Sequence, residues 1–124
     1  MNKSQIKLLI FDFDGTLARS KQLYADAIYM ALRKNGYTIP KKRIGEVLGN
    51  RIEELLSMLG INQKISVVIT KEMNDYVLKR ADTLKPCPFV QEINKIEGTK
   101  ILVSNSLAAY MMPFIKKQKL EFKE

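Results

Sequence analysis

The sequence predicts an α/β fold: an incomplete parallel sheet with an all-helical block inserted between its strands. Three observations lead there. Residues Ile6 to Phe13 form a near-continuous apolar run, Lys100 to Ser104 form a second, and most of the chain between them repeats apolar residues at helical spacing. Strands that read as unbroken apolar runs belong to parallel sheets covered on both faces, whereas half-solvated strands alternate. At 124 residues the chain has the length of one ordinary domain. The helical block is therefore a small inserted lobe, not a second full domain.

The first run, I-K-L-L-I-F-D-F, is rich in β-branched and aromatic residues and stops at Asp14-Gly15, as a strand buried on both faces would. Ser20 suits the N-cap of a helix in which Leu23, Tyr24, Ala27, Ile28, Ala31 and Leu32 recur every three or four residues until Gly36 ends it. Pro40 suits the start of the next helix. After Gly49, Ile52, Leu55, Leu56 and Leu59 repeat the pattern as far as Gly60. Ile65, Val68, Ile69, Met73, Tyr76, Val77 and Leu84 keep the same spacing, which favours helix although Val67-Val68-Ile69-Thr70 alone favours strand.

Pro86-Cys87-Pro88 breaks the chain, and Phe89, Val90, Ile93 and Ile96 give a short helix before Gly98. Lys100 to Ser104 is the second strand. Leu107 to Lys119 is a helix kinked or restarted at Pro113. The expected division is a core of residues 1–19 and 85–124 and a helical insertion of residues 20–84.

Composition narrows the chemistry. The 21 Lys and Arg against 13 Asp and Glu give a net charge of +8, and 46% apolar residues suffice for a packed core. With no His, the chain has no Ser-His-Asp triad and no HExxH zinc site, so acid-base work falls to carboxylates, Lys or Tyr. A single Cys87 forms no internal disulfide and suits a reducing compartment, hence a cytoplasmic location. The longest apolar run, Leu107 to Met112, is far short of the ~20 residues that a membrane helix needs. The basic clusters Lys41-Lys42-Arg43 and Lys116 to Lys119 lie apart and accompany no nucleic-acid motif, which speaks against a nucleic-acid partner.

The residues with the most specific chemistry are Asp12-Phe13-Asp14-Gly15-Thr16-Leu17, at the C-terminal end of the first strand, where open parallel sheets place their ligands. Two carboxylates two residues apart, with Gly15 turning the chain after the second, can approach one substrate from different sides. Such a pair suits phosphoryl transfer. One carboxylate attacks phosphorus to give an aspartyl-phosphate, and the other moves the proton of the leaving oxygen. Two carboxylates facing a phosphate also call for a cation, and Mg2+ matches oxygen ligands and phosphate oxygens. The same hexapeptide also reads as a plain strand-ending turn, because Asp and Gly form turns readily. It does not read as a calcium loop, since Thr16-Leu17 stands where further oxygen ligands belong.

Leu9 to Leu17, L-I-F-D-F-D-G-T-L, resembles the first motif of the haloacid dehalogenase superfamily of phosphatases, and the chain as a whole is similar to its phosphoglycolate-phosphatase-like members. The resemblance implies an incomplete Rossmann-like core with an inserted helical cap. It implies Asp12 as nucleophile and metal ligand, and Asp14 as general acid/base that also offers its backbone carbonyl to Mg2+. Ile101-Leu102-Val103-Ser104-Asn105 resembles the second motif, which implies that Ser104 binds the transferring phosphoryl group with Asn105 beside it. Thr16 joins the implied substrate contacts. Arg51 stands where some related caps present a substrate-contacting loop, but the preferred reading is a solvated residue opening a helix.

The implied function is a magnesium-dependent phosphomonoesterase acting on a small phosphorylated metabolite. Two departures qualify it. Ala18-Arg19-Ser20 places a cation where many relatives have an acid, and the family's later Lys and acidic pair have no counterpart before Glu124. Lys116, Lys117 and Lys119 read as a solvated basic face. The expectation is a truncated or split product, nearly inactive alone, whose unpaired strand edges favour self-association or a second chain completing the sheet. The alternative is a non-catalytic remnant that binds phosphate compounds or a partner.

Overall fold

The computed structural model describes residues 8–104 and 106–123. Their elements run β1 (Leu8–Phe11), β2 (Ala18–Arg19), α1 (Lys21–Lys34), α2 (Lys41–Val47), α3 (Ile52–Met58), α4 (Gln63–Lys79), a 3-10 turn (Ala81–Thr83), β3 (Lys85–Pro86), α5 (Val90–Ile93), β4 (Thr99–Leu102) and α6 (Ala108–Lys117). The chain divides into two units, Lys21–Lys79 and the described residues on either side of it.

The helical unit is built by the periodic positions. In α1, Ala27, Ile28, Ala31 and Leu32 are buried, and they pack against α4, whose Ile69, Met73 and Val77 are buried in turn. Burial of this stripe outweighs the strand preference of the Val-Val-Ile-Thr run, because an amphipathic face gains packing only as helix. Ile44 and Val47 of α2 and Leu55 and Leu56 of α3 complete the core. After α1, Gly36 adopts φ +89°, and the Tyr37 N–H reaches back to the Leu32 carbonyl at 2.9 Å. That is the left-handed C-terminal cap expected of a glycine stop.

One boundary differs from the expectation. The helix that begins with α4 ends at Lys79 and not near Leu84, because Arg80 leaves helical geometry and the chain tightens into the 3-10 turn. Leu84 is buried all the same, so the apolar spacing that includes it reports burial and not helix.

In the other unit, β1 and β4 pair in parallel, Leu8 opposite Thr99 through Phe11 opposite Leu102. The parallel pairing agrees with the sequence. Burial on both faces does not, since Leu8 is 53%, Ile10 65% and Val103 58% exposed. A strand is buried on both faces only when layers pack above and below it, and alternate residues of β1 have no such cover among the described residues. Ile6 and Lys7, at the start of the expected strand, lie outside the described residues.

Beyond β4, the Val103 N–H donates to the Phe11 carbonyl at 2.8 Å, so the backbone groups of Lys100 point to the opposite edge. There the Lys100 carbonyl accepts from the Lys123 N–H at 2.8 Å, and the Phe122 ring meets Phe11 edge-on at 6.0 Å. β4 is thus bordered on both sides, by β1 and by the backbone at Lys123.

The helix expected to kink or restart at Pro113 does not restart: α6 runs through it as one element. Tyr110 and Phe114, on either side of the proline, are both buried and pack edge-on against Phe13 with ring centroids 5.6 and 5.3 Å away. Their burial holds both turns across the hydrogen bond that Pro113 cannot donate. The sequence showed no sign of the two-residue antiparallel ladder of β2 and β3, Ala18 with Pro86 and Arg19 with Lys85. It joins the segments that leave for and return from the helical unit.

Gly15 has φ +75°, and a Cβ added there would meet no heavy atom within 4 Å, so only backbone strain opposes a side chain at this position. Gly15→Ala should cost about 1–2 kcal/mol by urea unfolding. An unchanged midpoint would show that the turn does not need its left-handed residue. No helix among the described residues is long and apolar enough to cross a membrane.

Candidate functional site

β1 and β4 end at the same end of the sheet because they are parallel, and both sequence-predicted motifs lie just past those ends. After Phe11, Asp12 is exposed, Phe13 is fully buried and Asp14 is half-buried. The alternation has a simple cause. Phe13 enters the apolar cluster with Tyr110 and Phe114, so the two acids beside it are turned out of the core. The Phe13 N–H donates to Asp12 Oδ1 at 2.7 Å, which orients that carboxylate and leaves its second oxygen for other partners.

The loop that follows is closed by its own backbone. The Phe13 carbonyl accepts from the N–H groups of Thr16, Leu17 and Ala18 at 3.3, 2.9 and 3.1 Å, and the Gly15 N–H donates to the Ala18 carbonyl at 2.9 Å. Leu17 is fully buried and anchors the loop, and its carbonyl accepts from the Cys87 N–H at 2.9 Å. The Asp14 carbonyl lies outside these turn hydrogen bonds. Thr16 is half-buried within the loop.

From the other motif, Ser104 is half-buried, and its Oγ accepts from the Ser106 N–H at 3.1 Å. A serine oxygen that accepts one bond keeps its own O–H to donate, so Ser104 can still present a proton to an anion. Asn105 lies outside the described residues. Ser106 Oγ donates to Asp14 Oδ2, and Tyr110 OH donates to Asp14 Oδ1 at 3.2 Å. The structure therefore joins the two motifs through residues that no sequence motif singled out.

Each of these two residues carried a faint signal. Ser106 ends the polar Ser-Asn-Ser step after β4, and Tyr110 brings a hydroxyl into an apolar stripe. A buried tyrosine hydroxyl requires a partner.

Arg51 is exposed in the helical unit, at the position before α3, where its carbonyl accepts from the Leu55 N–H at 2.8 Å. Lys116, Lys117 and Lys119 lie at the C-terminal end of α6, and Tyr110 meets Asp14 from its N-terminal turn. That placement agrees with a solvated basic face.

The donor set for a cation is small. Among the described residues no three His, Cys, Asp or Glu side chains cluster as a metal cage. What remains is the second Asp12 carboxylate oxygen and the Asp14 backbone carbonyl, both hard oxygens. Such a set fits Mg2+, which keeps several waters and shares substrate phosphate oxygens instead of demanding an all-protein cage.

Known proteins share this arrangement of elements. A crystal structure of a hydrolase from Pseudomonas syringae superposes with a TM-score of 0.77 at 19% identity, over 94% of this chain and 57% of that one. A predicted phosphoglycolate phosphatase from Haemophilus somnus gives 0.70 at 17% identity, over 94% and 58%. A HAD family hydrolase from Deinococcus radiodurans, solved with bound phosphate and sodium, gives 0.57 at 17% identity, over 93% and 53%. The chain thus spans 53–58% of the length of these proteins, and it shares their parallel, Rossmann-like α/β fold. No curated protein matches the sequence. The family model for haloacid dehalogenase-like hydrolases matches residues 9–122, from the start of the first motif to beyond α6, and the chain belongs to that family.

Proposed function

We propose that this protein is a magnesium-dependent phosphomonoester hydrolase that works through an aspartyl-phosphate on a small phosphorylated metabolite. The observation that carries the reading is the pair of acids flanking the buried Phe13. Asp12 is exposed and oriented by a backbone N–H, and Asp14 is held by two hydroxyls at the same end of the sheet. Support also comes from the similar protein that holds phosphate in its crystal structure.

An Asp12 carboxylate oxygen attacks phosphorus, and the bond from phosphorus to the ester oxygen breaks. Asp14, protonated, gives its proton to that oxygen as the alcohol departs. Water then attacks the phosphorus of the aspartyl-phosphate while Asp14 accepts a proton from it, which frees phosphate and restores Asp12. Ser104 donates to a phosphoryl oxygen throughout, and Thr16 contacts substrate. Mg2+, held by Asp12 and the Asp14 carbonyl, would offset the charge between carboxylate and phosphate.

The test is release of inorganic phosphate from a set of phosphomonoesters. Release should require Mg2+, stop with EDTA and return with excess Mg2+. A second reading, binding of phosphate compounds without turnover, is favoured by the absence of a third acidic side chain at the site among the described residues. Magnesium-dependent phosphate binding with no release from any ester would select it.

A further inference from the structure

Resting on the phosphatase reading, we propose that Ser106 and Tyr110 are positioning residues for proton transfer, which hold the Asp14 carboxyl in the orientation it needs at the leaving oxygen. Asp14 sits on a glycine turn and is half-buried, so nothing in its own backbone confines its side-chain rotation. The confinement comes from 92 and 96 residues away. Ser106 Oγ donates to Oδ2, and Tyr110 OH donates to Oδ1. With one donor on each oxygen, the plane of the carboxyl is fixed, and each oxygen retains a lone-pair site for a proton.

Both donors are themselves anchored. The Tyr110 ring is 1% exposed and packs edge-on against Phe13, the residue between the two acids, so its hydroxyl is referenced to the backbone that carries Asp14. Ser106 is tied through its N–H to Ser104 Oγ, the proposed phosphoryl contact. The phosphoryl group and the proton donor are thereby set in one frame. As Asp14 releases its proton, charge develops on oxygens already facing two O–H donors, so the protein needs no reorganisation at that moment. The proton passes from an Asp14 oxygen to the ester oxygen, and in the second half-reaction water returns one.

This role predicts a leaving-group signature. An alkyl phosphate needs its departing oxygen protonated, whereas p-nitrophenolate departs readily without help. Because hydrolysis of the aspartyl-phosphate is common to both esters, the signature lies in kcat/KM, which covers only the steps up to departure of the alcohol. Tyr110→Phe, which keeps the ring, and Ser106→Ala should each lower kcat/KM for an alkyl phosphate about tenfold and that for p-nitrophenyl phosphate by no more than about twofold. Ser106→Thr, which keeps a hydroxyl, should restore alkyl turnover. Asp14→Asn should show the same pattern more strongly, and adding Tyr110→Phe to it should have no further effect.

Equal losses of kcat/KM on both esters, or no loss on either, would overturn the positioning role while leaving the phosphatase reading in place. A wild-type protein that releases no phosphate with Mg2+ would overturn that reading, and this inference with it.

Discussion

Asp12→Asn should abolish magnesium-dependent phosphate release, with a fall on the order of 10⁴-fold or more, the scale at which enzymes lose a covalent nucleophile. The amide oxygen is neutral, so it attacks phosphorus poorly, and it is a weaker ligand for a hard cation. The substitution is otherwise mild. Asp12 is exposed, and an Asn oxygen can still accept the Phe13 N–H that reaches Oδ1 at 2.7 Å. The urea unfolding midpoint should therefore stay close to that of the parent. Loss of turnover with an intact midpoint assigns the defect to chemistry, and undiminished turnover would remove Asp12 from the mechanism.

Phe13→Ala should cost about 3–5 kcal/mol of stability, the usual range for deleting a fully buried aromatic ring. Phe13 has no exposed surface and is met edge-on by Tyr110 at 5.6 Å and Phe114 at 5.3 Å. Each such pair adds about 0.5–1.5 kcal/mol beyond the area it buries. Against a total of about 5–15 kcal/mol for an ordinary domain, this is a large share. The effect should spread to the site, because Phe13 separates the two acids and its carbonyl closes the loop after them. A loss below about 1 kcal/mol in urea unfolding would mean that the cavity collapses and that Phe13 is not the anchor of the site.

Features that depend on near neighbours are legible in the amino-acid order alone. The apolar spacing that makes α1 and α4 helical, the left-handed stop at Gly36 and the turn at Gly15 are set by a few adjacent residues, and all are present in the structure. So are the two parallel strands, β1 leading to Asp12 and Asp14 and β4 leading to Ser104. The placement of Asp12 and Asp14 just past the end of β1 was legible for the same reason, since it depends on a six-residue segment at the end of a strand.

Features that depend on distant neighbours emerge only once the chain has packed. The apolar run around Leu8 and Ile10 is uniform in sequence, yet whether both faces of β1 are covered is set by the layers that pack on it, and these two residues stay open. Pro113 predicts a break wherever only local hydrogen bonding is considered, but Tyr110 and Phe114, docked on Phe13, carry α6 across it. The β2–β3 ladder is too short to leave a period in the sequence. The partners of Asp14 were least legible of all. Ser106 and Tyr110 reach it across 92 and 96 residues, so their roles follow from where α6 docks against the first motif, which no local pattern records.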